Sequence, residues 1–254
     1  MIIELFVWIL TGFLAQFIDG SLGMAYGVSC STILITLGMY PALASASVHT
    51  AEMFTTLFSG GSHFKLGNVD RNMALHLAIT GVIGGVTGAY VCTVVSGTSL
   101  SAIVGLVLFA MGFIIMYKFA FRKMLEFRTK LSSRKLALLG YLAAFLDALG
   151  GGGWGPVATT TLVANDVDPV KAIGSVNFAE FFVTVAESVT FIILLGPENY
   201  NWLIVLSLII GGVICAPIAA WVCKKIPRRI LGIQVGLIVM ILSVRMILKF
   251  VGLI

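Results

Sequence analysis

The strongest constraint on this chain is that stretches of about 20 apolar residues, the length that crosses a bilayer as a helix, follow one another almost end to end. Of its 254 residues, 59% are hydrophobic and only 11% charged, so no water-facing shell can be built around them. Lipid is therefore the solvent for most of the chain, and an all-α polytopic membrane protein is the expected class. The mean hydropathy is +1.07. The 28 glycines suit close helix packing and broken helices within a membrane.

The second constraint is an internal repeat. Shifted by 128 residues, PALASASVHTAEMFTT (41–56) meets PVKAIGSVNFAEFFVT (169–184), and eight of the sixteen positions are identical, among them Pro41/Pro169, Ser47/Ser175 and Glu52/Glu180. Just upstream, LAQFIDGSLGMAYG (14–27) aligns with LAAFLDALGGGGWG (142–155). Apolar bias does not explain a repeated Asp, Pro and Glu. Duplicated units of this size are a common way to build transporters.

Each copy is read as a broken helical hairpin followed by three transmembrane helices. Repeat 1 covers 1–121, with a hairpin at 2–38 and helices at 42–64, 73–95 and 99–121. Repeat 2 covers 136–254, with a hairpin at 136–165 and helices at 172–196, 200–223 and 230–252. A basic linker, 122–135, joins them. The stretch 136–165 is too short for two spans of about 17 to 25 residues each, so it is expected to enter and leave on one side.

Charge sets the orientation. Lys118, Arg122, Lys123, Arg128, Lys130, Arg134 and Lys135 cluster in and beside the linker, and Lys224, Lys225, Arg228 and Arg229 fall between the last two helices. Both stretches are expected to face the cytoplasm. Three crossings per copy then make the repeats inverted, with both termini non-cytoplasmic. The runner-up is a full crossing through each broken segment. The net charge of +5 is thus a topology signal, and no nucleic-acid module accompanies it. No cleaved signal peptide is read at the N-terminus. Cys30, Cys92, Cys215 and Cys223 form no C-x-x-C pair and read as small buried hydrophobes.

Chemistry is expected at the breaks. Gly150 to Gly153 followed by Trp154-Gly155-Pro156 must interrupt a helix, and irregular backbone at membrane depth is tolerated where it lines a cavity or is buried in protein. Helix N-termini there would offer free amides and a positive dipole end to an anion. Candidate substrate-binding residues are Gly20, Ser21, Gly23 and Tyr26 in the first copy and Gly151, Gly152, Gly153 and Trp154 in the second. Glycines serving tight packing alone are the competing reading. A polar stripe follows each break: Ser45, His49, Glu52, Thr56, Ser59 and His63 share one helix face, and Asn177, Glu180, Thr184 and Glu187 keep part of it. From it His49 and Asn177, and from the repeat identities Ser47 and Ser175, join the substrate-binding candidates. Glu52 and Glu180 either take up protons or accept hydrogen bonds from freed amides. Asp19 and Asp147 either couple transport or cap those amides. No catalytic constellation, cofactor motif or metal motif is read, so an enzyme is not expected.

With those residues in view, the chain resembles the sulfite exporter TauE/SafE family. The resemblance is carried by DALGGGGWGP (147–156), by the A-x-G-S-x-N-x-x-E pattern from Ala172 to Glu180, and by their earlier counterparts DGSLGMAYG and ASASVHTAE. It covers essentially the whole chain. It implies a secondary transporter for sulfur-containing anions such as sulfite, sulfonates or sulfoacetate, in the cytoplasmic membrane. The expected partners are a small anion, the lipid bilayer and protons as the candidate coupling ion, and a passive anion channel is the alternative. The first copy departs from the glycine-rich form at Ser21 and Leu22, so the two half-sites are expected to be unequal.

Overall fold

The computed structural model describes residues 2–94, 109, 113, 116, 117, 120, 121 and 131–252. The expected helix 99–121 and the linker residues 122–130 otherwise lie outside the described residues. Among the described residues the chain is all helical: α1 Ile2–Leu22, α2 Tyr26–Thr36, α3 Pro41–Lys65, α4 Arg71–Val94, α5 Ser133–Gly150, α6 Trp154–Ala164, α7 Pro169–Leu195, α8 Trp202–Lys225 and α9 Arg228–Phe250. A short 3₁₀ turn, Pro197–Asn199, separates α7 from α8. The linker is shorter than expected, because α5 opens at Ser133 and takes Arg134 and Lys135 into its first turn.

Among the described residues, four helices are long and apolar enough to cross a membrane: Glu4–Leu22, Arg71–Val94, Pro169–Leu195 and Trp202–Lys225. Their outward faces are large and apolar. Leu75, Ile79, Ile83, Val86 and Tyr90 recur every three or four residues on α4, and Leu203, Leu206, Ile210, Ile214, Ile218 and Trp221 do so on α8. The interior combines apolar clusters with a polar stripe, in which Ser45, His49, Glu52, Thr56, Ser59 and His63 of α3 are all buried. This is the distribution expected where lipid is the surrounding solvent. All four cysteines are buried.

The repeat is visible in the helices. α2 and α6 both have 11 residues and begin 128 positions apart, as do α3 and α7. Pro41 and Pro169 open α3 and α7 at the first helical position, where a missing N–H costs nothing. Equivalent helices exchange partners: α1 packs along α8, and α4 along α5. Glycine sets both contacts. A Cβ on Gly12 would lie 2.8 Å from Leu208 Cα, and one on Gly88 would lie 3.0 Å from Phe145 Cα. In both pairs residue numbers rise together, with Gly20 beside Ala219 and Gly84 beside Tyr141, so the helices run parallel.

α3 and α7 run antiparallel. Ser59 Oγ donates to Asn177 Oδ1 at 2.6 Å, Thr56 and Thr184 hydroxyls stand 3.4 Å apart, and His49 Nε2 lies 3.1 Å from Glu187. Thr56 and Thr184 are each other's repeat counterpart. The antiparallel pair thus brings equivalent positions of α3 and α7 face to face.

Candidate functional site

The two helix breaks meet each other. In the second, Gly151 closes α5 in the left-handed region (φ 68°) and its N–H donates to Asp147 O at 2.7 Å. Gly152 follows at φ 155°, a conformation essentially reserved for glycine. The Gly153 N–H then donates to Asp147 Oδ1 at 2.5 Å. In the first break, Gly23 holds φ 74° and its N–H donates to Asp19 O at 2.5 Å. The backbone of Tyr26 bonds the Asp19 carboxylate. Each aspartate thus serves amides that a continuous helix would have paired.

Each break also satisfies the other. Ser31 Oγ on α2 donates to Gly151 O at 2.6 Å, and Thr159 Oγ1 on α6 donates to Gly23 O at 2.7 Å. Ser31 and Thr159 are counterparts across the repeat, as are Gly23 and Gly151, so these are one bond made twice. The contact is backbone on backbone: a Cβ on Gly27 would fall 2.7 Å from Gly152 Cα, and one on Gly155 would fall 2.6 Å from Met24 Cα. The N-terminal turns of α2 and α6 are therefore neighbours. Ser29 and Val157 are the first residues whose N–H reaches an i−4 carbonyl, so the amides of Gly27, Val28, Trp154 and Gly155 have no intrahelical acceptor.

Acid surrounds this contact. Asp19, Glu52, Asp147, Glu180 and Glu187 are all buried, and no Lys or Arg is buried with them among the described residues. Glu52 Oε1 lies at the mouth of α2, 3.1 Å from where a Cβ of Gly27 would stand. His49 Nδ1 donates to Ser45 O at 2.7 Å, and its Nε2 lies 3.1 Å from Glu187, 3.3 Å from Asp147 and 3.9 Å from Glu52. Ser45 Oγ donates to Ala148 O at 3.0 Å, tying α3 to the end of α5.

The other residues singled out from sequence have varied places. Tyr26 and Trp154 are buried beside the breaks, but their polar atoms donate to Leu208 O at 3.2 Å and Val176 O at 3.2 Å. Gly20 O accepts from His63 Nε2 at 2.8 Å. Ser21 Oγ turns back to Phe17 O at 2.5 Å. Ser175 stands apart at the α3–α4 connection, exchanging hydrogen bonds with the Asp70 backbone. Asn177 is committed to Ser59 and to Ile173 O. Ser47 and one oxygen of Glu180 are buried without a hydrogen-bond partner. Two contributors were not selected from sequence. Ser31 looks like any hydroxyl in an apolar run. Glu187 lies on the same stripe as Glu180, two turns on, which is the signal that could have found it.

A polytopic helical membrane protein with paired helix interruptions at its centre, lined by buried acids, belongs to the transporter class in architecture. Residues 8–246 match the family described as "Sulfite exporter TauE/SafE". The chain is also 42% identical over 250 residues to the "Probable membrane transporter protein YtnM" of Bacillus subtilis (strain 168), a match covering 97% of this chain and 83% of that protein. The chain belongs to the TauE/SafE family and is a membrane transporter of that type. No solved structure matches it significantly.

Proposed function

We propose that this protein is a proton-linked secondary transporter that moves a small sulfur-containing anion, such as sulfite, a sulfonate or sulfoacetate, across the cytoplasmic membrane. The observation that carries the reading is the meeting of the first turns of α2 and α6, whose amides and dipole ends favour negative charge. The relative's printed name supports transport, and the family description supports a sulfur oxyanion.

The acids supply a coupling logic. A charged side chain at the bilayer centre costs about 2.5–3.5 kcal/mol on insertion scales, and five together without buried Lys or Arg cannot all stay ionised beside a bound anion. Glu52 stands at the amides of α2 as the protein's own anion. A proton on Glu52 removes that charge and leaves the amides to the substrate; loss of the proton returns the carboxylate and expels it. Glu180 is the equivalent group of the other repeat.

Orientation follows from one basic end. Lys224 Nζ donates to Leu66 O at 2.9 Å and Lys171 Nζ to Gly67 O at 2.8 Å, which gathers them with Lys65 and Arg71 where α3 and α8 finish and α7 begins. We place this end in the cytoplasm. α1 starts at the opposite end and α9 runs toward it, so both termini are non-cytoplasmic and the repeats are inverted. Purified protein in liposomes should take up labelled sulfite saturably, faster with a pH gradient, with counterflow against unlabelled anion. Flux indifferent to the gradient defeats the coupling; linear flux without counterflow makes the protein a channel.

A further inference from the structure

The geometry points to a divalent transition-metal site in the membrane interior, formed by His49 Nε2, Asp147 Oδ2 and Glu52 Oε2, with Glu187 Oε2 beside the histidine. The inference shares Glu52 with the transport reading but does not rest on it.

The histidine tautomer comes first. Nδ1 faces a carbonyl, Ser45 O, and so must carry its proton. In the neutral imidazole that leaves the Nε2 lone pair facing the carboxylates of Glu187, Asp147 and Glu52. Nε2 is fully buried and has no partner at hydrogen-bonding geometry, although three carboxylates lie around it. The same is true of Glu52 Oε2, Asp147 Oδ2 and both oxygens of Glu187. A histidine whose other ring nitrogen donates to a backbone carbonyl is the usual arrangement for a metal ligand.

The spacing fits an ion. Bonds of 2.0–2.2 Å in a tetrahedral site put neighbouring ligand atoms about 3.3 Å apart. The distances from Nε2 are 3.1, 3.3 and 3.9 Å. Ligand atoms of His49, Glu52 and Asp147 all lie within 4.8 Å of one another. Asp147 contributes the oxygen that is not engaged by Gly153. Gly85 clears room for Glu187, since a Cβ there would stand 2.7 Å from Glu187 Cγ. Imidazole with carboxylates selects a first-row transition ion over magnesium or calcium.

The repeat supplies an internal control. The counterpart of His49–Glu187 in the sequence repeat is Asn177–Ser59, a neutral pair joined by one 2.6 Å hydrogen bond. The packing of α3 on α7 therefore needs no charge at this place. The ionisable version occurs on one side only.

The test is a Co²⁺ titration of the purified full chain in detergent, with the affinity tag removed. One equivalent should give the visible absorption of tetrahedral Co²⁺, displaced by Zn²⁺ in keeping with the stability order of divalent ions. His49→Gln, Asp147→Asn and Glu187→Gln should each lower the affinity at least tenfold, the usual loss on removing a ligand or its support. His76→Gln, which changes a partly exposed histidine on α4, should leave the band unchanged. A wild-type titration with no stoichiometric tetrahedral band overturns the proposal without any variant, and that is also the result if the occupant of Nε2 is a proton. A band of full strength in all three variants overturns it as well. Sulfite uptake by the same preparation reads the transport function separately.

Discussion

Two glycines in one run make opposite predictions. Gly152 is held at φ 155°, and a Cβ there would fall inside contact distance of Val28 N and 2.6 Å from Gly27 C. Both obstacles are backbone of the opposite break, so neither can rotate away. Overpacking of this kind costs about 1–3 kcal/mol, and the strained backbone adds about 1–3 kcal/mol. Gly152→Ala should therefore destabilise the protein by about 2–6 kcal/mol. Gly150, two residues earlier, is the last residue of α5 and has nothing within 4 Å of its would-be Cβ. Gly150→Ala should be neutral or stabilising by up to about 1 kcal/mol, because it removes only helix-destabilising freedom. The assay is thermal unfolding of the purified variants in nanodiscs, followed by intrinsic fluorescence, with anion uptake measured in parallel. The reasoning fails if the two variants melt together, or if Gly152→Ala keeps wild-type stability, because the breaks would then not be pressed against each other.

Other predictions follow from single contacts. Ser31→Ala and Thr159→Val should each cost about 1 kcal/mol in thermal unfolding, since each leaves a buried carbonyl of the opposite break unpaired. Asp147→Ala should destabilise by about 1.5–3 kcal/mol through the orphaned Gly153 amide, whereas Asp147→Asn, which keeps an acceptor oxygen, should melt within about 1 kcal/mol of wild type; equal losses would remove the capping role. Glu52→Gln should flatten the dependence of sulfite uptake on the pH gradient while leaving exchange, and unchanged pH dependence in both Glu52→Gln and Glu180→Gln would take those residues out of coupling. Reporter fusions at either terminus should signal outside the cytoplasm, and a cytoplasmic signal at the C-terminus would overturn the inverted arrangement.

Much of the helical framework was legible because its signals are local. Glycines that break a helix, prolines that open one, and an aspartate ahead of each break announce themselves at fixed spacing, and their recurrence 128 residues later ties the copies together. The start of α5 was not legible, because Ser133, Arg134 and Lys135 read as linker charge although they also make a good first turn. The partnerships at the site were hidden for a different reason. Ser31 and Thr159 bond carbonyls, which every residue possesses, so no side-chain pattern marks the pairing. Identity between the copies was likewise a weak guide to the site: His49, which the second copy replaces with Asn177, reaches Asp147 and Glu187, whereas Ser175, identical in both copies, turns to a connection at the end of the bundle. Aromatic residues beside the breaks were equally ambiguous, and Tyr26 and Trp154 spend their donors on the backbone of α8 and α7.

The central claim is that the amides at the starts of α2 and α6 hold the transported anion. The most direct measurement is an experimental density map of the protein in a lipid nanodisc, collected with millimolar sulfite or a heavy-atom sulfonate analogue and without it. The account predicts ligand density between Tyr26–Val28 and Trp154–Val157, absent from the ligand-free map. Uninterrupted helices through both stretches, or ligand density lodged elsewhere with these turns bare, would contradict it.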